Sequence, residues 1–379
     1  MNIGAPNLPP PPPSPQLGGG EFRILFISRA YGENAGGMER LSYELINAFE
    51  SGGIVVDKIV NETKPGRSLF STRLRSIIFA ITIIPHALVK ARHAEIIHIG
   101  DPVLSCIAWL IQLIYKKRAI CTVHGLDLTF SNSIYQAYLK MFLPSCAQFV
   151  AISDYAKKLL QEKNITAPIT VIPPGIIDRN YDESITRDDL QKMLKHEISQ
   201  KIVFVTTGRL VKRKGHAWFI ENVLLHLPEN VLYVIAGDGP EKEHIASIIA
   251  KYNLQDRVLM LGRISDADQK ILLNTCDAFI QPNIAVANDH EGFGIAPLEA
   301  ALCARQVFAS NIEGIPSAIV DGKNGALLPA ENAQEWILAL TEYVNHPSKN
   351  PQAREYTKQQ YNWDAIAEKY REVFENTSK

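Results

Sequence analysis

The stretch Asp289-His-Glu-Gly-Phe-Gly-Ile-Ala-Pro-Leu-Glu-Ala-Ala301 decides how this chain is read. It puts one carboxylate, Glu291, in a glycine-bearing loop and a second, Glu299, just inside the helix that follows. Pro297 suits the first turn of that helix, where its missing N–H costs nothing. Gly292 and Gly294 let the backbone approach a ligand closely, and a helix N-terminus offers unpaired N–H groups to an anion. Two acceptors for hydroxyl groups flanking an anion site are what a nucleotide sugar would require. Taken alone, the segment also fits a glycine turn before an ordinary helix, so its meaning depends on its surroundings.

Those surroundings alternate strand and helix. The strands expected from apolar runs are Arg23–Ser28, Ile54–Val60, Glu95–Ile99, Ala119–His124, Gln148–Ile152 and Ile169–Ile172. After the polar stretch 178–200, read as a boundary followed by a surface helix, come Ile202–Thr207, Val231–Ala236, Val258–Leu261, Ala278–Gln281 and Val307–Ser310. Helices are expected at Met38–Ser51, Trp218–Leu227, Glu241–Tyr252, Asp268–Cys276, Ala333–Val344 and Trp363–Phe374. The pattern predicts an α/β chain with two doubly wound, Rossmann-like domains whose strand ends face one cleft. The expected organisation is a Pro/Gly-rich disordered tail at 1–20, a first domain at 21–178 and a linker at 179–200. A second domain at 201–355 and a C-terminal helical segment at 356–379 complete it.

Bulk properties narrow the function. The 379 residues suffice for two cores. A net charge of −1 gives no electrostatic reason to expect a nucleic-acid partner. The five cysteines, Cys106, Cys121, Cys146, Cys276 and Cys303, form no Cys-x-x-Cys pair and mostly sit in apolar runs, so free buried thiols in a reducing, cytoplasmic setting are expected. The N-terminus shows no basic region with an apolar core, and the longest apolar run, Ile77–Ile84, is far too short to span a bilayer. Arg73, Arg75, Lys90, Arg92 and His93 flank the apolar Ile77–Val89 stretch. That combination fits either peripheral contact with an anionic membrane or a covering helix with a solvated basic face.

Three further places carry chemistry. Thr206-Thr-Gly-Arg-Leu-Val-Lys-Arg-Lys-Gly215 runs from a buried strand into Arg209 and Lys214, cations placed to meet a phosphate in the cleft. Because Lys212, Arg213 and Lys214 are consecutive, a solvated basic loop is the competing reading. His124, at the end of an apolar strand, is placed to hydrogen-bond a sugar hydroxyl or to assist proton movement. Gly36 and Gly37 open the first long helix and free the backbone for phosphate. Asp266-Ala-Asp268 has the spacing of a metal site, but Ser265 before it marks a capped helix start with acidic residues in the first turn, and that reading is preferred. The chain has no phosphate-binding loop of the Gly-x-x-x-x-Gly-Lys-Ser/Thr type and no complete Gly-x-Gly-x-x-Gly turn, which argues against a P-loop ATPase and a simple dehydrogenase.

Together these residues resemble the family-four retaining glycosyltransferases of the GT-B fold, from about residue 22 to the end. Glu291 and Glu299 match that family's Glu-x7-Glu element, Arg209 and Lys214 its diphosphate clamp, Gly36 and Gly37 its N-terminal Gly-Gly, and His124 its cleft histidine. Val150–Asp154, Val171–Ile176 and Ala236–Pro240 also look like family signatures. The resemblance implies transfer of a sugar from a nucleotide-diphosphate donor, with retained configuration and without a metal or other cofactor. It implies Glu291 at the donor sugar, Glu299 at the ribose, and Arg209 and Lys214 at the diphosphate, aided by backbone around Gly292, Phe293 and Gly294. Main chain at Arg263 and Ile264 would meet the base, and the final helix would cross back onto the first domain. Ala304-Arg-Gln306 and Glu313-Gly-Ile-Pro-Ser317 depart from the usual pattern, which bears on loop shape and donor identity. The acceptor expected is a glycan, a lipid-linked sugar or a small molecule in cell-surface polysaccharide or glycolipid synthesis. Two other readings are a non-catalytic partner subunit that still binds nucleotide sugar and a nucleotide-sugar epimerase on the same fold.

Overall fold

A computed structural model describes residues 22–33, 37–62 and 78–378. The tail at 1–20, Gly36, Arg73 and Arg75 lie outside the described residues. Twelve strands form two six-stranded sheets among the described residues. The first contains β1 (Arg23–Tyr31), β2 (Val55–Glu62), β3 (Ile96–Ile99), β4 (Ala119–Val123), β5 (Gln148–Ala151) and β6 (Ile169–Val171), in the order β2-β1-β3-β4-β5-β6. The second contains β7 (Ile202–Thr207), β8 (Val231–Ala236), β9 (Val258–Gly262), β10 (Ala278–Gln281), β11 (Gln306–Asn311) and β12 (Ala326–Pro329), in the order β12-β11-β10-β7-β8-β9. Every strand pairing is parallel. Strands such as Ile96–Ile99 and Val231–Ala236 are buried along their whole length. This explains why they read as continuous apolar runs rather than as alternating ones: both sheet faces are covered.

The strand order fixes where a ligand can sit. In the first sheet the chain lays β2 on one side of β1 and β3 on the other, so the loops after β1 and β3 diverge and leave a crevice at the strand C-termini. In the second sheet β8 lies on one side of β7 and β10 on the other. The loop after β7 runs through Gly208 to Gly215, and the loop after β10 runs from Pro282 to Gly294. The two most informative sequence segments therefore flank one topological switch point.

Local boundaries shifted where capping and glycine geometry outweigh apolar spacing. Helix Asp266–Thr275 starts before Asp268 because Ser265 accepts from Asp268 N while Asp268 accepts from Ser265, a capping box. The helix expected at Trp218–Leu227 begins at His216, after Gly215 in a left-handed conformation, and breaks at Val223 before a short 3₁₀ turn. Helix Arg187–Leu194 is the surface helix expected in 179–200, again with a capping box, between Thr186 and Asp189. Strand β12 was not foreseen; at four residues and bordered by turns it carries little apolar signal.

After helix Pro351–Gln360 the chain crosses to the first sheet. Helix Trp363–Ser378 buries Ile366, Tyr370, Val373 and Phe374 against Phe26, Phe49 and Ile96. Gly175 makes the crossing close: a Cβ there would fall 2.4 Å from the Trp363 ring. Thr377 accepts from Arg118 through its carbonyl and donates from its hydroxyl to Gln148 Oε1. Beneath this helix lies His98, wholly buried among Phe26, Phe49, Tyr370 and Phe374, with Nε2 2.8 Å from Thr122 Oγ1.

Burial holds His98 neutral, with a pKa pushed down to about 3, and His216 is likewise pushed down to about 3. In the unfolded chain each binds a proton below about 6.5. The unfolded state therefore holds more protons than the folded one between about pH 3 and about pH 6.5, and stability falls as pH drops through that window, by up to about 1.4 kcal/mol per pH unit for each histidine. Denaturant midpoints followed across that range should show the decline, and His98→Phe should make it shallower. A slope unchanged by the substitution would contradict the buried neutral imidazole.

Candidate active site

The second sheet supplies a carboxylate locked in cations. Gly208, with φ 138°, turns the chain out of β7, and the 3₁₀ turn Lys212–Lys214 ends at Gly215 with φ 68°. Gly215 is pressed on the neighbouring loop, since a Cβ there would lie 1.8 Å from the Pro282 carbonyl oxygen. This contact brings Lys214 Nζ to 2.7 Å from Glu291 Oε2. Asn283, buried just beyond β10, donates from Nδ2 to the same oxygen at 3.1 Å. Arg213 Nε stands 3.6 Å away, while its Nη1 donates to Asp289 Oδ1 at 2.7 Å. Burial alone would raise the Glu291 pKa, but Lys214, Arg213 and the Asn283 hydrogen bond outweigh it and hold the carboxyl below its ordinary value. The Glu291 backbone N–H donates to Glu313, which also accepts from His290 Nδ1 at 2.7 Å. Arg209, in contrast, is exposed at the end of β7 and has no side-chain partner among the described residues. The solvated-loop reading thus holds for Lys212, which is exposed, and fails for Arg213 and Lys214.

The first sheet supplies His124. Its Nε2 lies 2.9 Å from the Gly100 carbonyl oxygen, an arrangement in which Nε2–H donates and Nδ1 remains the acceptor. Its backbone N–H donates to Asp127, as does that of Gly125. Asp127 is buried, and burial pushes its pKa up despite these bonds. Asp101, following β3, accepts from Arg29 Nε at 3.0 Å, a pair that raises the guanidinium pKa.

The halves meet through glycine. A Cβ on Gly292 would lie 2.3 Å from the His124 carbonyl oxygen, and a Cβ on Gly314 would lie 2.1 Å from the Gly292 carbonyl oxygen. The Glu291 loop is thereby seated directly on the His124 turn. A second link crosses nearby. Glu299, the fifth residue of helix Ile295–Leu302, accepts from Gln269 Nε2 at 3.0 Å and lies 3.9 Å from Arg40 Nη1 of helix Met38–Ser51. Burial pushes the Glu299 pKa up, against the pull of Arg40 and Arg179.

The remaining expected residues separate. Gly294 caps helix Ile295–Leu302 with φ 118°, and Gly37 caps helix Met38–Ser51 with φ 64°. Phe293 is a core residue: its ring is buried and meets Tyr361 edge-on at 6.0 Å, so only its backbone borders the cleft loop. The Arg263 side chain points largely into solvent, with Nε 3.8 Å from Asp238 Oδ2, and Ile264 packs against the second core. Sequence reasoning missed Arg213, Asn283, Gln269, Arg40 and Glu313. Asn283 and Arg40 carried a usable signal, as polar residues one to three positions past a buried strand end and a Gly-Gly turn. Gln269 and Glu313 reach the site only through folding.

Two family models match this chain, one for glycosyl transferases group 1 over residues 190–363 and one for glycosyltransferase family 4 over residues 35–179. The gpi3 subunit of phosphatidylinositol N-acetylglucosaminyltransferase from Schizosaccharomyces pombe is 27% identical over 216 residues, which are 55% of this chain and 43% of that protein. The uncharacterized glycosyltransferase MJ1069 of Methanocaldococcus jannaschii is 26% identical over 283 residues, 69% of this chain and 68% of that one. Among solved structures, Anabaena Alr3699/HepE in complex with UDP superposes with a TM-score of 0.73 at 18% identity, over 94% of this chain and all of that one. The chain belongs to the family-four, group 1 glycosyltransferases and has the GT-B fold. The match to the fission-yeast relative spans less than half of that protein's length.

Gly292→Ala tests the seam. The added methyl group drives the Glu291 loop off His124, and displacement on this scale should lower turnover roughly a hundredfold. Thermal denaturation should show only a modest loss of stability, because the change sits in a loop at the cleft. Unchanged kcat in a folded variant would contradict the close approach.

Proposed function

We propose that this chain moves a sugar from a nucleotide-diphosphate donor to an acceptor with retained anomeric configuration and without an essential metal. The observation that carries the reading is the ionised Glu291, gripped by Lys214 and Asn283 at the switch point of the second sheet and seated against His124 of the first. In this reading Lys214 turns from Glu291 to the donor diphosphate, and the unpartnered Arg209 closes on the same group. Charge-assisted hydrogen bonds that strengthen as the bond to the sugar breaks lower the barrier directly. Glu291 then accepts hydrogen bonds from donor-sugar hydroxyls, as its depressed pKa favours. Glu299 exchanges Gln269 and the distant Arg40 for ribose hydroxyls, and the N–H groups after Gly294 face the phosphates. Main chain at Arg263 and Ile264 borders the base. His124 presents Nδ1 to a sugar hydroxyl while Gly100 fixes the ring.

The UDP complex of the Anabaena structure supports a uridine nucleotide as the first donor to try. The fission-yeast relative, a subunit of phosphatidylinositol N-acetylglucosaminyltransferase, supports a lipid-linked acceptor, in keeping with glycolipid or cell-surface polysaccharide synthesis at the cytoplasmic face of a membrane.

A panel of UDP-, GDP- and ADP-sugars scored for nucleotide release tests the proposal, with a chelator present in a parallel series. Wild type should release nucleotide from at least one donor in both series, and Glu291→Ala and Lys214→Ala should each lose about a hundredfold or more. Equal release by all three proteins would overturn the assignment, and activity abolished by the chelator would overturn its metal independence.

A further inference from the structure

Five of the large exposed apolar side chains among the described residues sit on two neighbouring helices of the first half. Helix Ser105–Tyr115 turns Ile107, Ala108 and Ile111 into the core and leaves Trp109, Leu113 and Ile114 outside. Helix Ser133–Phe142 buries Leu139 and leaves Ile134 and Met141 outside, 80% and 70% exposed. The Trp109 ring meets Phe142 edge-on at 5.5 Å, so the two helices form a single surface. Isolated exposed apolar residues are ordinary, but a contiguous group of large ones marks a surface that meets something.

Charge says what it meets. From Pro102 to Ser153 the only acidic residue is Asp127, which is buried and consumed by the His124 and Gly125 N–H groups. The same span carries Lys116, Lys117, Arg118 and Lys140, while the whole chain has a net charge of −1. Lys116 and Lys140 are exposed, whereas the Arg118 guanidinium donates to the Thr377 carbonyl. Arg92 joins them through its bond to Tyr115 Oη at 3.0 Å. Two helices that present exposed apolar side chains beside Lys116 and Lys140, and that carry no exposed carboxylate of their own, complement an anionic lipid surface. A second copy of the chain is the poorer occupant, because a two-fold pairing of this face sets like charges against each other. No helix among the described residues is long and apolar enough to cross a membrane.

We infer that helices Ser105–Tyr115 and Ser133–Phe142 dock this protein on an anionic bilayer. The docking face is joined to the candidate active site. Tyr135 donates to the Asp127 carbonyl at 2.7 Å, and Gln136 donates to the carbonyls of Leu128 and Phe130, so the start of the second helix is bolted to the His124–Asp127 turn. A lipid-anchored acceptor lying in the bilayer reaches His124 along this edge. That last step rests on the proposed transferase reaction; the docking itself does not.

Flotation of the full chain with vesicles tests it, one set of phosphatidylcholine alone and one containing phosphatidylglycerol. Wild type should float with the phosphatidylglycerol vesicles and stay behind with the neutral ones. Leu113→Glu/Ile134→Glu should lower the bound fraction at least about tenfold, with the melting temperature and nucleotide binding of wild type, since both side chains are already in water. Leu338→Glu, at an exposed apolar residue of the second half, should float as wild type does. Failure of wild type to float, or flotation unaffected by the double substitution, would overturn the inference. So would a wild-type dimer in sedimentation that the double substitution splits. Nucleotide binding measured on the same samples keeps this result separate from the fate of the donor reading.

Discussion

A buried carboxylate cannot remain ionised unless fixed positive charge and hydrogen-bond donors surround it. Glu291 meets that condition with Lys214, Arg213 and Asn283, and much of the second half is arranged to bring them there. The cations come from the loop after β7 and the carboxylate from the loop after β10. Only the strand order β10-β7-β8 sets those two loops side by side. Gly215 against Pro282 removes the side chain that would hold these two loops apart, and Gly314 against Gly292 seats the second of them on the loop after β11. An apposed Lys–Glu pair is a weak source of stability, since desolvation takes back most of what attraction gives. Its persistence in a cleft is better explained by a ligand that replaces one partner.

Three of the ties between the two halves show how they divide the work. His124 meets Gly292 through backbone, Arg40 faces Glu299 at 3.9 Å, and helix Trp363–Ser378 leaves the second half to pack over Phe49 and His98. The first two ties lie where a donor would enter and are narrow. The third is broad, aromatic and remote from the cleft. This distribution lets the cleft loops exchange partners while the helix keeps the halves joined, the usual division between a stable scaffold and a weaker functional edge.

The sequence revealed most where chemistry and local geometry coincide. The parallel strands were legible because both their faces are covered and their apolar runs unbroken, as in Val231–Ala236. Glu291, Lys214 and His124 were legible because each follows such a strand or a glycine turn. Ser265 ahead of Asp266 and Asp268 marks a helix start in the sequence, and the capping box bears that out. The burial of the Phe293 ring was not legible, since Tyr361, which covers it, arrives from a distant part of the chain. Arg213 was hidden inside a run of three basic residues, where spacing cannot tell which side chains turn inward. Gln269 and Glu313 come from other elements and reach the site only through tertiary packing, beyond any local pattern. The apolar face on helix Ser105–Tyr115 was equally hidden, because a helix that is apolar on all sides gives no sign of which side is left uncovered.

The central claim is that Lys214 exchanges Glu291 for a diphosphate. Calorimetric titration with a nucleoside diphosphate and the matching monophosphate, on wild type and Lys214→Met, tests it most directly. The account predicts that wild type binds the diphosphate more tightly and that the substitution removes most of that preference while leaving monophosphate binding nearly unchanged. Equal preference in both proteins would show that the lysine serves only its carboxylate neighbour, and the account would fail.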